Sequence, residues 1–201
     1  MPLLLLDLTG VLFDYDGPAR MAAVAAATGR TVDDVRGRLF ADGFFARCVR
    51  GEITEAQQRR HFRDALGWDA PDAEVDRVWS TGWTPRQATL DLLGELSAEV
   101  DRAVLTNNDP IMRAALGTQF PQLTAVVTTM LSAEQVGAPK PRREAFAGTL
   151  TLLGAAARDT HFIDDTRANV EAAIGVGIRA RRFVDTEQLR ADLADWGLLD
   201  G

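Results

Sequence analysis

Four consecutive leucines, Leu3–Leu6, run straight into Asp7, and Gly10 follows three residues later. An apolar run of this length, with no polar alternation, fits a strand buried on both faces of a parallel sheet, or a short buried helix. Two further segments have the same form. Residues 103–105 end in Thr106-Asn107-Asn108, and residues 160–163 end in Asp164-Asp165. Strands are also expected at 123–128 and 178–183. Helices are expected at 86–98, 110–118, 142–153 and 169–176. Strand and helix in alternation predict an α/β fold with a doubly wound parallel sheet. In such sheets ligands bind beyond the carboxyl ends of the strands. Asp7, Thr106-Asn107-Asn108 and Asp164-Asp165 should therefore meet at one site.

Residues 17–84 break the rhythm. They are rich in Ala, Arg, Asp and Glu, with apolar residues at helical spacing and no clear strand. Helices are expected near 18–29, 31–41, 54–66 and 71–81. Thr31 with Asp34 and Thr54 with Gln57 have the spacing of capping boxes, and Gly51 and Gly67 sit where helices stop. The expected organisation is an α/β core of residues 1–16 and 85–201 with an inserted helical cap, 17–84. The net charge of −7 argues against a nucleic-acid partner. A single cysteine, Cys48, excludes a disulfide framework and a cysteine-rich metal site and fits a reducing cytoplasm. The leucine run is too short to span a membrane and has no basic flank, so neither an anchor nor a signal peptide is expected. The oligomeric state stays open.

Converging carboxylates repel one another, and a hard divalent cation resolves the repulsion. Mg²⁺ takes one or two carboxylates and keeps its other positions for water or phosphate oxygens. Asp7, Asp164 and Asp165 are the right ligand type. Thr106 and Asn107 can donate hydrogen bonds to phosphate oxygens. Lys140, between Pro139 and Pro141, can balance charge and hold an anionic substrate. Taken singly, each motif has a plainer reading: a turn, a helix N-cap or an exposed loop. Their order and spacing together favour a site.

These motifs resemble those of the haloacid dehalogenase superfamily of hydrolases, in the subgroup with a helical cap after the first strand. Asp7-Leu-Thr-Gly-Val-Leu is similar to its first motif, which implies Asp7 as nucleophile. Val-Leu-Thr106-Asn107 is similar to the second, with Thr106 as the phosphate-binding hydroxyl. The segment SAEQVGAPKPRREAF from Ser132 to Phe146 is similar to the third, with Lys140 as its lysine. HFIDDTRANVEAA, from His161, is similar to the fourth, with Asp165 as magnesium ligand and Asp164 and Asn169 in supporting positions. ARCVRGEITEAQ looks like the matching cap segment of sugar-phosphate phosphatases and of the phosphatase domain of epoxide hydrolases. Asp14-Tyr-Asp16-Gly17 mimics the first motif. The resemblance instead places Asp14, seven residues after Asp7, at the start of the connection to the cap. Asp16-Gly17-Pro18 then reads as a turn and the start of the first cap helix.

One position departs from the pattern. The superfamily's phosphatases carry a second Asp two residues after the nucleophile, as acid and base. Here it is Thr9, which has no proton to exchange near neutral pH, although its backbone carbonyl can still serve magnesium. Three readings follow: a magnesium-dependent phosphohydrolase or phosphotransferase working on a small phosphorylated metabolite through an aspartyl phosphate at Asp7; a non-catalytic relative that binds a phosphorylated ligand or a protein; and a 2-haloacid dehalogenase. The retained acidic pair Asp164-Asp165 argues against the last. Phe44, Phe45, Arg47, Arg50, His61, Trp79 and Trp83 are candidates for the cap's entrance, and for the aromatics among them packing in the cap's own core is the favoured reading. His61 and His161 read as non-catalytic.

Overall fold

The computed structural model describes residues 1–199. Its strands are β1 (Leu3–Leu6), β2 (Phe13–Tyr15), β3 (Trp83–Pro85), β4 (Asp101–Thr106), β5 (Thr129–Ser132), β6 (Thr160–Asp164) and β7 (Arg179–Arg182). Five of them form one parallel sheet in the order β5-β4-β1-β6-β7, and β2 and β3 pair as a separate antiparallel ribbon. β1 lies in the middle. Leu4 and Leu6 join Val104 and Ile163 in one apolar cluster, while Leu3 and Leu5 join Phe146 and Phe162 in another. Burial of both faces is why the leucine run does not alternate. At one edge, Arg179, Arg181 and Arg182 place charge on β7, which discourages further strand pairing.

The chain winds from β1 through β4 to β5, then returns to β6 on the other side of β1. A crevice opens where the order reverses, beyond the carboxyl ends of β1 and β6. The Asp7 N–H donates to the Ile163 carbonyl at 2.9 Å, so the chain keeps sheet register through the first acidic residue.

Five helices lie between β2 and β3: Gly17–Thr28, Val32–Phe40, Phe44–Val49, Glu55–Leu66 and Asp72–Trp79. Asp16 caps the first by accepting the Ala19 N–H. Thr54 and Gln57 form the full reciprocal box. Thr31 accepts the Asp34 N–H, but the Asp34 carboxylate turns to Arg30 and Arg38, both at 2.7 Å, so this box is half made. The helical insert is joined to the sheet layer through the helix Pro110–Gln119. At its N-cap, buried Asp109 accepts from Gln58 Nε2 at 2.8 Å, Trp79 Nε1 at 3.0 Å and the Met112 N–H at 3.2 Å. Gln58 returns an acceptor to the Ile111 N–H at 3.1 Å. A second landing is at Gly51. Its φ is +79°, and a Cβ there would sit 2.4 Å from the Glu134 nitrogen, so only glycine fits.

The strand expected at 123–128 is not formed. Pro121 starts a short helix, Pro121–Thr124, the Val127 N–H bonds back to the Leu123 carbonyl, and the strand begins at Thr129. An apolar run alone does not separate these outcomes. The ribbon strands and the helices Phe44–Val49, Ala133–Val136 and Thr186–Asp195 go beyond the sequence expectation. No described helix is long and apolar enough to cross a membrane.

His161, on β6, is buried against Trp196 with ring centroids 4.6 Å apart. Burial, helped by Arg179 and Arg181, pushes its imidazole below the ordinary 6.5. Between the two values the unfolded chain binds a proton that the folded chain refuses, so this contribution to stability is present above about pH 6.5 and lost as the pH falls. The thermal midpoint of the wild type should therefore drop relative to that of His161→Asn between about pH 7 and about pH 5. A gap that stays constant across that range would show that His161 does not titrate with unfolding.

Candidate active site

Nine residues line a cleft of about 280 Å³ at the crevice. Asp7 and Thr9 come from the turn after β1, and Thr106, Asn107 and Asn108 from the end of β4. Lys140 comes from the loop after the helix Ala133–Val136, and Asp165, Thr166 and Asn169 from the turn and helix after β6. Asp164 lies directly beneath, fully buried. Every residue that the sequence assigned to the site is thus in the cleft or against it. Asn108, which the sequence grouped with Thr106 and Asn107 at the strand end without a role of its own, lines the cleft with them. Thr166 is the addition, and it had only a capping reading in the sequence.

The centre is an ion triad. Lys140 Nζ lies 2.8 Å from Asp7 Oδ1 and 2.6 Å from Asp164 Oδ2, and its side chain is only 1% exposed. The Leu8 N–H donates to Asp7 Oδ1 at 2.7 Å. Asp164 also accepts from Asn169 Nδ2 at 3.0 Å and from the Thr166 N–H at 2.8 Å. Burial pushes the Asp7 carboxyl up to about 6, against the pull of Lys140 and with the Asp164 charge adding to the rise.

Lys140 is aimed from its backbone. Asn107 donates from Nδ2 to the Lys140 carbonyl at 2.8 Å and accepts the Lys140 N–H on Oδ1 at 2.9 Å. The Asn107 side chain therefore spends its amide on the lysine loop and lines the cleft while doing so. Gly10 gives the acidic turn its room: at φ +84°, a Cβ would fall 2.3 Å from Asp165 Oδ2.

Oxygens of Asp7, Asp164 and Asp165 lie within 4.8 Å of one another. Three carboxylates on a partly open cleft are a hard-oxygen donor set and fit a divalent cation of the magnesium type. Around them stand the Lys140 ammonium and the Thr106 hydroxyl. The arrangement suits a dianion whose charge is neutralised on several sides, beside a carboxylate able to attack it.

Asp14 stands apart from the cleft. It pairs with Thr84 across the ribbon and with Arg86 Nη2 at 2.6 Å, where the chain enters and leaves the helical insert. Among the described residues, none of the insert lines the cleft. Phe44 stacks on His61 at 3.7 Å, Phe45 meets Trp79 edge-on at 5.9 Å, and Trp83 is buried against Phe13. Arg47 and Arg50 both pair with Glu52 at the surface.

The haloacid dehalogenase-like hydrolase family model matches residues 1–177. The phosphatase MT3486 of Mycobacterium tuberculosis (strain CDC 1551 / Oshkosh) is 34% identical over 209 residues, spanning 97% of this chain and 95% of its own. Among solved structures, the HAD family enzyme bt-2542 of Bacteroides thetaiotaomicron, in complex with magnesium and inorganic phosphate, is similar with a TM-score of 0.76 at 24% identity, over 94% of this chain and 98% of that one. The L-2-haloacid dehalogenase of Xanthobacter autotrophicus is similar with a TM-score of 0.58 at 19% identity, over 100% of this chain and 85% of that one. The two solved structures share the fold. The extent of the family match and the identity to the mycobacterial protein go further: the chain belongs to the haloacid dehalogenase-like hydrolase family.

Proposed function

We propose that the chain is a magnesium-dependent phosphohydrolase or phosphotransferase that acts on a small phosphorylated metabolite through Asp7, with residues 17–84 as a cap on a core of 1–16 and 85–201. One observation carries this reading: Asp7 faces a cation-competent carboxylate cluster, a buried ammonium and a strand-end hydroxyl in one cleft. The name of the mycobacterial relative and the magnesium and phosphate in the Bacteroides structure agree with it. The cleft, about 280 Å³, is just below the usual range of small-molecule sites, which run from ~300 Å³.

In this mechanism Asp7, held at Oδ1 by Leu8 and Lys140, attacks phosphorus through its other oxygen. The bond to the leaving oxygen breaks, its electron pair departs with that oxygen, and an aspartyl phosphate forms. Water or an acceptor hydroxyl then attacks phosphorus, its proton passes to a phosphoryl oxygen, the bond from phosphorus to Asp7 breaks, and the Asp7 carboxylate is restored. Asp7, Asp165 and the Thr9 carbonyl would hold magnesium, with Asp164 in or beside the ligand set. Bound magnesium supplies charge neutralisation at the phosphoryl oxygens. Lys140 adds positive charge at the phosphoryl group, Thr106 donates to a phosphoryl oxygen, Asn107 clamps the Lys140 backbone, and Asn169 holds Asp164. Thr9 has no proton to give to a leaving alkoxide. Acyl and aryl phosphates, whose leaving groups depart as anions, should therefore react best, and the phosphoenzyme should be long-lived. The same Thr9 supports a second reading, a non-catalytic binder of phosphorylated ligands.

Asp7→Asn should abolish turnover while the chain still folds, as checked by circular dichroism, since the amide keeps the shape but not the nucleophile; the thermal midpoint should fall, because Lys140 loses a charged partner. Loss of activity in Asp14→Asn, with Asp7→Asn active, would put the nucleophile at Asp14. Asp165→Ala should sharply weaken magnesium affinity measured by calorimetry, and an unchanged affinity would take Asp165 out of the metal site. Thr9→Asp should accelerate alkyl phosphate hydrolysis by something near the ~10²-fold lower end for a positioned acid–base group, with little gain on acyl phosphates. Paired rates on both substrate types check this. If wild type and Thr9→Asp are silent on every phosphate tested, the binding reading replaces the catalytic one.

A further inference from the structure

The cleft holds one side chain whose role follows from proton counting. Asn108 Nδ2 lies 2.7 Å from Thr106 Oγ1 and 3.1 Å from Thr9 Oγ1. An amide nitrogen carries two protons, and here each points at one hydroxyl oxygen. The Asn108 N–H also donates to Thr106 Oγ1, at 3.1 Å. Both lone pairs of the Thr106 oxygen are thereby occupied by donors, and its own proton is left to point away. Thr9 Oγ1 is 3.5 Å from Asn108 Oδ1, well beyond an ordinary O–H···O bond, so its proton is not held there while its oxygen accepts the 3.1 Å bond.

We infer that Asn108 is a positioning residue that turns the Thr9 and Thr106 hydroxyl protons into the cleft, making a matched pair of donors for one phosphoryl group. The inference rests on the phosphoryl-transfer reading and deepens it. With Asn108 donating to it, Thr9 is a fixed hydrogen-bond donor that keeps its proton. It stabilises negative charge on an oxygen without neutralising it. Thr106 does so from the next strand. The pair therefore selects phosphate esters whose leaving oxygen carries its own negative charge, the acyl and aryl class. Nothing else lining the cleft among the described residues hydrogen-bonds to both hydroxyls.

The test is a double-mutant cycle read by calorimetry of inorganic phosphate binding in saturating magnesium. Thr9→Val should lower phosphate affinity about tenfold in the wild-type background, the scale of one hydrogen bond to a charged group. Asn108→Leu, which fills the amide's volume and excludes a substituting water, should cost at least as much. In the Asn108→Leu background Thr9→Val should cost less than about twofold, because a hydroxyl with no imposed direction contributes little. Magnesium affinity without phosphate should be unchanged in Asn108→Leu, which separates positioning from collapse of the site. If Asn108→Leu fails to fold, Asn108→Ala supplies the same cycle. Additive losses, or wild-type phosphate affinity in the Asn108 variants, overturn the role given to Asn108 and leave the phosphoryl reading standing. A wild type that binds no phosphate in magnesium overturns that reading, and this inference with it.

Discussion

The ammonium of Lys140, buried between Asp7 and Asp164, is the constraint on which the site depends. Two carboxylates this close, one of them with no exposed surface, would not both stay ionised without a cation between them. Removing one partner from a buried ion pair typically costs about 3–5 kcal/mol, because the remaining charge stays buried and unpaired. The surrounding hydrogen bonds make the triad tolerable. Leu8, Asn169 and Thr166 satisfy the carboxylate oxygens, and Asn107 fixes the lysine loop. The net result is a carboxylate at Asp7 that is held still and kept partly reluctant to ionise, at the open end of the crevice.

The sheet is where the sequence was most readable, and the reason is burial. Strands covered on both faces must be apolar throughout, so Leu3–Leu6 and the strands ending at Thr106 and Asp164 stand out as runs closed by polar residues. The same closure placed the site residues, because polar groups at strand ends have one crevice to share. The ribbon of β2 and β3 was not legible. Each strand is three residues long, too short for a period to register, and its pairing is set by partners far apart in sequence. Val126 and Val127 misled for another reason. They are apolar because they pack at the foot of the sheet, and Pro121 with the following turn decides their backbone.

Side-chain roles within the site were less legible than side-chain positions. Asn107 and Asn108 look interchangeable as letters. In space the first clamps a lysine backbone and the second bridges two hydroxyls, because successive residues beyond a strand end point in different directions. The aromatics of the helical insert likewise carried both a lining and a core reading in the sequence, the core one favoured. Contacts such as Phe62 against Trp79, with centroids 4.5 Å apart, assign them to packing.

The seam at Asp109 has a bearing on how such chains change over time. The apolar cluster runs from Leu4 and Leu6 through Ile111 and Met112 into Val35, Leu39 and Phe62 without a break, and Asp109 sits within it. Two of the donors to that carboxylate, Gln58 and Trp79, belong to the helical insert. An unrelated insert spliced between the ribbon strands would strand a buried carboxylate, at a cost of about 1–3 kcal/mol or more for a charged group. Recombination that exchanges this helical insert therefore has to carry position 109 along with it, or replace its carboxylate first.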